Sequence, residues 1–333
     1  MDYKQLSELN VAIGVLARDC ASPLEKNIPR VEAMGNLFNS YKVIVYENDS
    51  KDGTKEILRK WCEKNPNITV IMEDSKKDTI PQKSKNNPYP AKSRYRIEKM
   101  AGLRNRLLDE ISVTAPDICI FLDIDLFWID PITVKKTIEN APEDWGGLFG
   151  NGKVTRRYPD YIAERPMLYD SYAYVDKDVD PCAVGSWLYD KDFHFVMGAR
   201  MYSKMKKKLY SSCTSAFNNI GIYKYEAIKG LRYEVVQTPE LEPVNVAMCE
   251  HVPFNLKVVQ RGYGNYIARD LVVYSECKDG RDYKKWYDRW KKKHETFHFF
   301  SKHYWVFFKM HYHEMLYALG IGPYQRRKRR GEW

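Results

Sequence analysis

The sequence has no run of about 18 uninterrupted apolar residues, so no stretch reads as a conventional membrane span. It also has no Cys-x-x-Cys pair. Its seven cysteines (Cys20, Cys62, Cys119, Cys182, Cys213, Cys249 and Cys277) are odd in number and widely spaced. That spacing argues against a zinc finger or ribbon and against a secreted disulfide framework. Reduced thiols in a cytosol-facing protein are the expected state. The polar, acidic start from Met1 to Asn10 lacks the marks of a secretory signal peptide. The expected location is therefore cytoplasmic, or peripheral on the cytoplasmic face of a membrane, and the sequon at Asn67-Ile68-Thr69 reads as chance.

Charge is absent where it might be looked for. The 333 residues carry a formal net charge of +10, from 54 Lys/Arg against 44 Asp/Glu. Residues 281–333 hold 14 basic and 5 acidic residues, and the other 280 hold 40 and 39. A near-neutral body without a recognisable RNA motif makes nucleic acid an unexpected partner. What is present is a folded composition, with 44% hydrophobic and 14% aromatic residues and a length sufficient for a large core.

Short apolar runs at Val11–Leu16, Tyr41–Tyr46, Ile68–Met72 and Ile118–Leu122 read as strands. Helical stretches are predicted around Ile28–Phe38, Lys55–Cys62 and Ser93–Ile111, the last with apolar Ile97, Met100, Leu103, Leu107 and Ile111 at spacings of three and four. Asp74–Ala91 is a Lys/Pro/Asn-rich loop. Alternating strands and helices predict an α/β fold with a mostly parallel sheet. Ligands of such sheets bind beyond the carboxyl ends of the strands. Polar clusters stand at those ends.

Asp123-Ile124-Asp125 follows five apolar residues. Two carboxylates two apart on an extended chain face one side, with Cα atoms roughly 6.5 Å apart. A Mg²⁺ or Mn²⁺ ion with bonds near ~2.1 Å is not easily held by both unless the strand bends, so one Asp is expected on the metal and the other on a ribose hydroxyl or water. Such an ion would stabilise a nucleotide diphosphate as leaving group. The competing reading is a solvated acidic turn. Glu47–Thr54 follows another strand and can read a nucleotide or simply cap the next helix through Ser50 or Asp52. Arg96 and Arg104-Asn105 lie on one broad helical face whose cationic forks suit a diphosphate, against the alternative of a solvated basic face.

Together the segments VIVYENDSKDGT, RIEKMAGLRN and FLDIDLFWID resemble a glycosyltransferase of the GT-A fold. The resemblance spans roughly residues 11 to 275. In their order the segments look most like the capsule-associated mannosyltransferases of glycosyltransferase family 69, and the first is also similar to family 2 enzymes. The resemblance implies a GT-A sheet flanked by helices, a nucleotide-sugar donor (GDP-mannose or a UDP-sugar), and Mn²⁺ or Mg²⁺. It also implies a glycan or lipid-linked glycan acceptor. It assigns Asp123 and Asp125 to metal and nucleotide, and Arg18, Glu47, Asn48 and Asp52 to the nucleotide pocket. Arg104 and Asn105 would lie near the diphosphate or donor sugar.

The nucleotide-binding half is expected over about 1–145 and an acceptor half over about 146–280. Tyr169–Tyr174, Trp187 and Tyr189 can form a sugar surface, although plain packing explains each of them as well. Asn218 and Asn219 can bond sugar hydroxyls. By analogy with GT-A enzymes, Glu250 is the candidate acceptor base, with Glu240 and Glu242 as competitors, and His251 is a candidate third metal ligand. Asp125 is counted with Glu250 as catalytic.

Residues 281–333 interleave aromatics with Lys and His and end in Gln325–Arg330. A helical extension lying on an anionic membrane surface fits this pattern, and helices packed on the domain fit it nearly as well. His311 and His313 point apart on a helix, so no metal site is read there. A nucleotidyltransferase is an alternative, but its usual Gly-Ser precedes the Asp pair, whereas Gly185-Ser186 follows it here. A non-enzymatic membrane or RNA adaptor is the other alternative.

Overall fold

The computed structural model describes residues 5–76, 78, 80–126, 128–157, 162–168, 170, 172–177, 204, 205, 207–239, 241–276, 312, 315 and 319. Four strands, β1 (Asn10–Ala17), β2 (Ser40–Asn48), β3 (Ile68–Glu73) and β4 (Ile118–Asp123), form its first half. They are linked by α1 (Ala21–Gly35), α2 (Thr54–Lys64) and α3 (Arg94–Thr114). β1 pairs in parallel with both β2 and β4, and β2 in parallel with β3. Side chains alternate across the sheet, as a period of two requires. Ala12, Ile44, Tyr46, Cys119 and Phe121 enter one core layer, while Val11, Ile13, Val15, Val43, Val45, Ile118 and Ile120 enter the other. Helices on both faces explain why β4 is apolar from Ile118 to Leu122.

The second half adds α4 (Pro131–Glu139), β5 (Trp145–Arg157), β6 (Ile162–Leu168), β7 (Val175–Asp176), β8 (Tyr210–Ser215) and β9 (Ile220–Lys224). The short α5 (Tyr225–Ile228), α6 (His251–Gln260) and β10 (Gly264–Glu276) complete it. The strand order is β3-β2-β1-β4-β9-β5-β10-β8-β7, with β6 on β5. From β3 to β10 in that order, β9 alone among the described strands runs against the rest. This is the α/β, GT-A-type arrangement expected from the sequence.

Two helices depart from expectation. α1 begins at Ala21, not near Ile28, and carries Pro29 inside it. Pro29 is exposed, and so is Glu25, whose carbonyl the ring deprives of its partner, so water can take that bond. In α3, Ser93 caps the N-terminus by accepting the Arg96 N–H, and Ala115 ends the helix at φ 41°. Its buried stripe is Ile97, Ala101, Arg104, Leu107, Leu108 and Ile111, while Met100 and Leu103 are only partly buried. Ile97, Leu107 and Ile111 are buried as read, whereas between them Ala101 and Arg104 replace Met100 and Leu103, so a guanidinium lies in the core face. Trp187, Tyr189, Glu240 and nearly all of 281–333, including the basic aromatic extension, fall outside the described residues.

Candidate active site

The Asp123–Asp125 turn is pinned from two sides. The Asp123 N–H donates to the Asn219 carbonyl at 2.9 Å. Asn27 of α1 donates through Nδ2 to the carbonyls of Ile124 and Leu126, both at 2.8 Å. Arg30 in turn donates to Asn27 Oδ1 at 2.7 Å and lies over the Trp128 ring at 4.2 Å. Ile124 and Leu126 are buried in the layer with α1, while Asp123 and Asp125 keep partial exposure. The apolar members of this segment thus anchor it and leave the two acidic members on the other side.

Further carboxylates converge there. Burial raises the Asp123 carboxyl to about 7; Arg104 opposes the shift, and Asp125, Asp170 and Glu250 add to it. Asp170 is raised to about 6, again chiefly by burial, with the Ala173 N–H and the charges of Arg104 and Arg96 pulling it back. Arg104 Nε donates to Glu250 Oε1 at 3.0 Å, and both residues are buried. The guanidinium also lies 4.9 Å from the Phe217 ring centroid and 5.8 Å from that of Tyr233. Glu250 stands at the N-cap of α6, with the Cys249 Sγ 3.7 Å from its Oε2.

His251 follows as the first residue of α6, but its ring is stacked on Phe217 with centroids 4.1 Å apart and meets Tyr233 edge-on. Burial, then the Arg104 charge, holds it well below its ordinary value, so the imidazole is neutral. Neither ring nitrogen has a hydrogen-bond partner. Among the described residues, no three His, Cys, Asp or Glu side chains are arranged to hold a metal ion. Glu242 is exposed in a one-turn helix.

At the ends of β1, β2 and β3 lies a cleft of about 280 Å³ lined by Arg18, Asp49, Lys51, Lys55, Lys76 and neighbours. Asp49, which the sequence reading did not single out, adopts φ 56°. Burial would raise its carboxyl, but bonds from the Ser75 hydroxyl, the Lys76 N–H and the Asn48 amide, with the Lys99 charge, hold it well below the usual range. Glu47 and Asn48 support this wall from behind: Glu47 Oε1 accepts the Ser50 N–H at 2.8 Å and Asn48 Nδ2 donates to Asp49 at 3.1 Å. Asp52 is engaged in local structure. Its carboxylate accepts the N–H groups of Ala21 and Thr54, each at 3.0 Å, and so ties the start of α1 to that of α2.

Asn105 faces away from Arg104 and exchanges two bonds with the backbone of Tyr233, at 3.0 and 2.8 Å. It thereby fixes the ring that covers Arg104. Asn218 and Asn219, which the sequence offered to sugar hydroxyls, are fully buried. Their amides donate to the Gly150 carbonyl and to Ser275 Oγ, both at 2.6 Å. Asn tolerates the left-handed backbone that this β8–β9 turn demands, at φ 55° and 71°. The structure thus gathers Asp123, Asp125, Arg104 and Glu250, and adds Asp170 and Tyr233.

Residues 28–242 match the family model described as cryptococcal mannosyltransferase 1, well over half of the chain. The chain belongs to this mannosyltransferase family. Family membership makes it a glycosyltransferase. The matched span includes the Asp123–Asp125 turn and ends before Glu250. No curated protein matches the chain. Among solved structures, mannosyltransferase PcManGT from Pyrobaculum calidifontis, in complex with GDP-Man and Mn²⁺, is similar at TM-score 0.45 and 15% identity, over 94% of this chain and 71% of that one. S. aureus TarS 1-349 is similar at TM-score 0.40 and 14% identity, over 80% of this chain and 60% of that one. TarS 1-349 in complex with UDP-GlcNAc gives TM-score 0.38 and 15% identity, over 82% and 60%.

Proposed function

We propose that this family member transfers a sugar, mannose first, from a nucleotide-sugar donor to a hydroxyl of a glycan or lipid-linked glycan. GDP-mannose is the leading donor and a UDP-sugar the second. The observation that carries the reading is the Asp123–Asp125 turn, fixed by Asn27 and Asn219 at the end of the central strand β4 and surrounded by further carboxylates.

The donor chemistry of that turn fits Mn²⁺ or Mg²⁺. Hard carboxylate oxygens suit such an ion, and a cation would offset the burial and, after it, the repulsion from Asp125, Asp170 and Glu250 that raise Asp123. Asp123 and Asp125 would hold it. When bound, the ion neutralises the charge that develops on the departing diphosphate. His251, enclosed by Phe217 and Tyr233, is left out of this ligand set. Arg18 and the Glu47–Asp49 wall receive the nucleoside end. Arg104 holds Glu250 Oε1, and Oε2, which takes only the weak Cys249 thiol donor at 3.7 Å, would accept the proton of the acceptor hydroxyl.

Thermal unfolding of the full chain with GDP, UDP, GDP-mannose and UDP-sugars tests this, each with and without Mn²⁺. A saturating ligand at about 100 times its Kd stabilises by about 2.7 kcal/mol, so a metal-dependent rise of a few degrees is expected with one nucleotide series. Asp125→Asn should abolish the metal-dependent part and lower transfer by about a hundredfold or more, since a metal contributes several kcal/mol. No stabilisation by any nucleoside diphosphate would reject the reading.

A further inference from the structure

Two arginines of α3 approach the site, and their surroundings differ. Arg104 is 6% exposed, with its Nε on Glu250 and its guanidinium beside Phe217 and Tyr233. It acts electrostatically on Glu250, Asp123 and Asp170. Its Nε is committed to a buried carboxylate that is costly to strand, and its guanidinium is packed between two aromatic rings, so its main work is local.

Arg96 lies eight residues earlier, about 12 Å along the helix axis. It is partly exposed. Its Nη1 donates to the Ala91 carbonyl at 3.1 Å, while its Nε is buried with no hydrogen-bond partner. A buried N–H of a charged group left unpaired is costly, and an anionic ligand would satisfy it. Burial raises Asp170 and Tyr172, and Arg96 is near enough for its charge to oppose both shifts in part. Three residues on, Lys99 stands 3.6 Å from Asp49 in the wall of the nucleotide cleft. Residues three apart on a helix are neighbours, so one turn of α3 joins the acidic cluster to that cleft.

We propose that Arg96 holds the diphosphate of the donor, and that Arg104 is a positioning residue that keeps Glu250, Asp123 and Asp170 in register. The assignment rests on the donor reading above. It narrows the sequence-based expectation, which offered both Arg96 and Arg104 to the diphosphate, to Arg96 alone.

The test is calorimetric binding of GDP, GMP, UDP and UMP, each with Mn²⁺, to the full chain and to Arg96→Gln, Arg96→Lys and Arg104→Lys. The unaltered chain should prefer one diphosphate over its monophosphate. Arg96→Gln should remove about tenfold of that preference, the size expected for one charge-assisted hydrogen bond. Arg96→Lys, which keeps the charge without the fork, should retain part of it. Arg104→Lys should keep the preference and the donor KM while kcat falls. Preference retained in Arg96→Gln, or lost in Arg104→Lys, overturns the assignment. Absence of binding by either diphosphate to the unaltered chain overturns the donor reading itself and the assignment with it.

Discussion

Burying a guanidinium costs several kcal/mol unless charge and hydrogen bonds offset it. Around Arg104 the offset comes from Glu250 at 3.0 Å, from Asp123 and from two aromatic faces. Arg104→Met should therefore destabilise the fold by about 3–5 kcal/mol by stranding Glu250, whereas Arg104→Met with Glu250→Met should recover most of that loss. Denaturant unfolding of the two variants checks this; equal losses would show that the pair is not coupled. Asp49 gives a different signature. Its folded carboxyl lies well below the unfolded value of about 3.9, so its contribution is complete above that pH and fades as pH falls below it. Asp49→Asn should cost about 1–2 kcal/mol near pH 7. The gap between the two proteins should start to narrow below about pH 4 and close only as pH reaches the much lower folded value; a gap that widens on acidification would refute the assignment. Asp49 was legible only as one member of a polar turn, because neither its left-handed backbone nor its bonds to Ser75 and Lys76 leave a mark in the sequence.

At the scale of elements, legibility followed local hydrophobic contrast. The strand read at Ile118–Leu122 is observed at Ile118–Asp123, and the one at Tyr41–Tyr46 at Ser40–Asn48, because both lie in a sheet covered on two faces. The second half resisted reading. Its strands are positioned by buried amides: Asn255 donates to Ser215 Oγ and the Ala216 carbonyl, and Asn265 to the Thr214 and Asn255 carbonyls. Such residues look like loop composition until their partners are known. In α3, Ala101 and Arg104 occupy the buried stripe where larger apolar neighbours were expected, because Arg104 has a carboxylate partner 146 residues away in sequence. The element on which the site depends most is the turn after β4, and Asn27 of α1 is its long-range support. Asn27→Ala would leave the Ile124 and Leu126 carbonyls without their shared donor, costing about 1–3 kcal/mol. Metal-dependent nucleotide binding should weaken along with the melting temperature. Unchanged nucleotide affinity in a folded Asn27→Ala protein would show that the turn holds its shape without α1.

For the whole molecule, the decisive quantity is where charge lies. The +10 total divides into a body near +1 and residues 281–333 at +9. On the proposed function, a near-neutral body would select phosphate by local arrangement, through a few arginines and a carboxylate-held cation. A field spread over the whole surface is not available to it. The basic segment is different in kind: Arg326, Arg327, Lys328, Arg329 and Arg330 are contiguous and follow an aromatic-rich stretch. Each basic residue close to an anionic bilayer contributes about 1 kcal/mol, screened by salt. The full chain should therefore sediment with phosphatidylserine vesicles at low salt, be released as salt rises, and ignore phosphatidylcholine vesicles. Replacing the five residues by Gln should weaken that binding by about a hundredfold or more. Nucleotide binding by the body should stay unchanged, since the two functions would draw on separate charges. Equal sedimentation with neutral and anionic vesicles, or no loss in the five-Gln variant, would detach the basic segment from membranes and leave its charge to another partner.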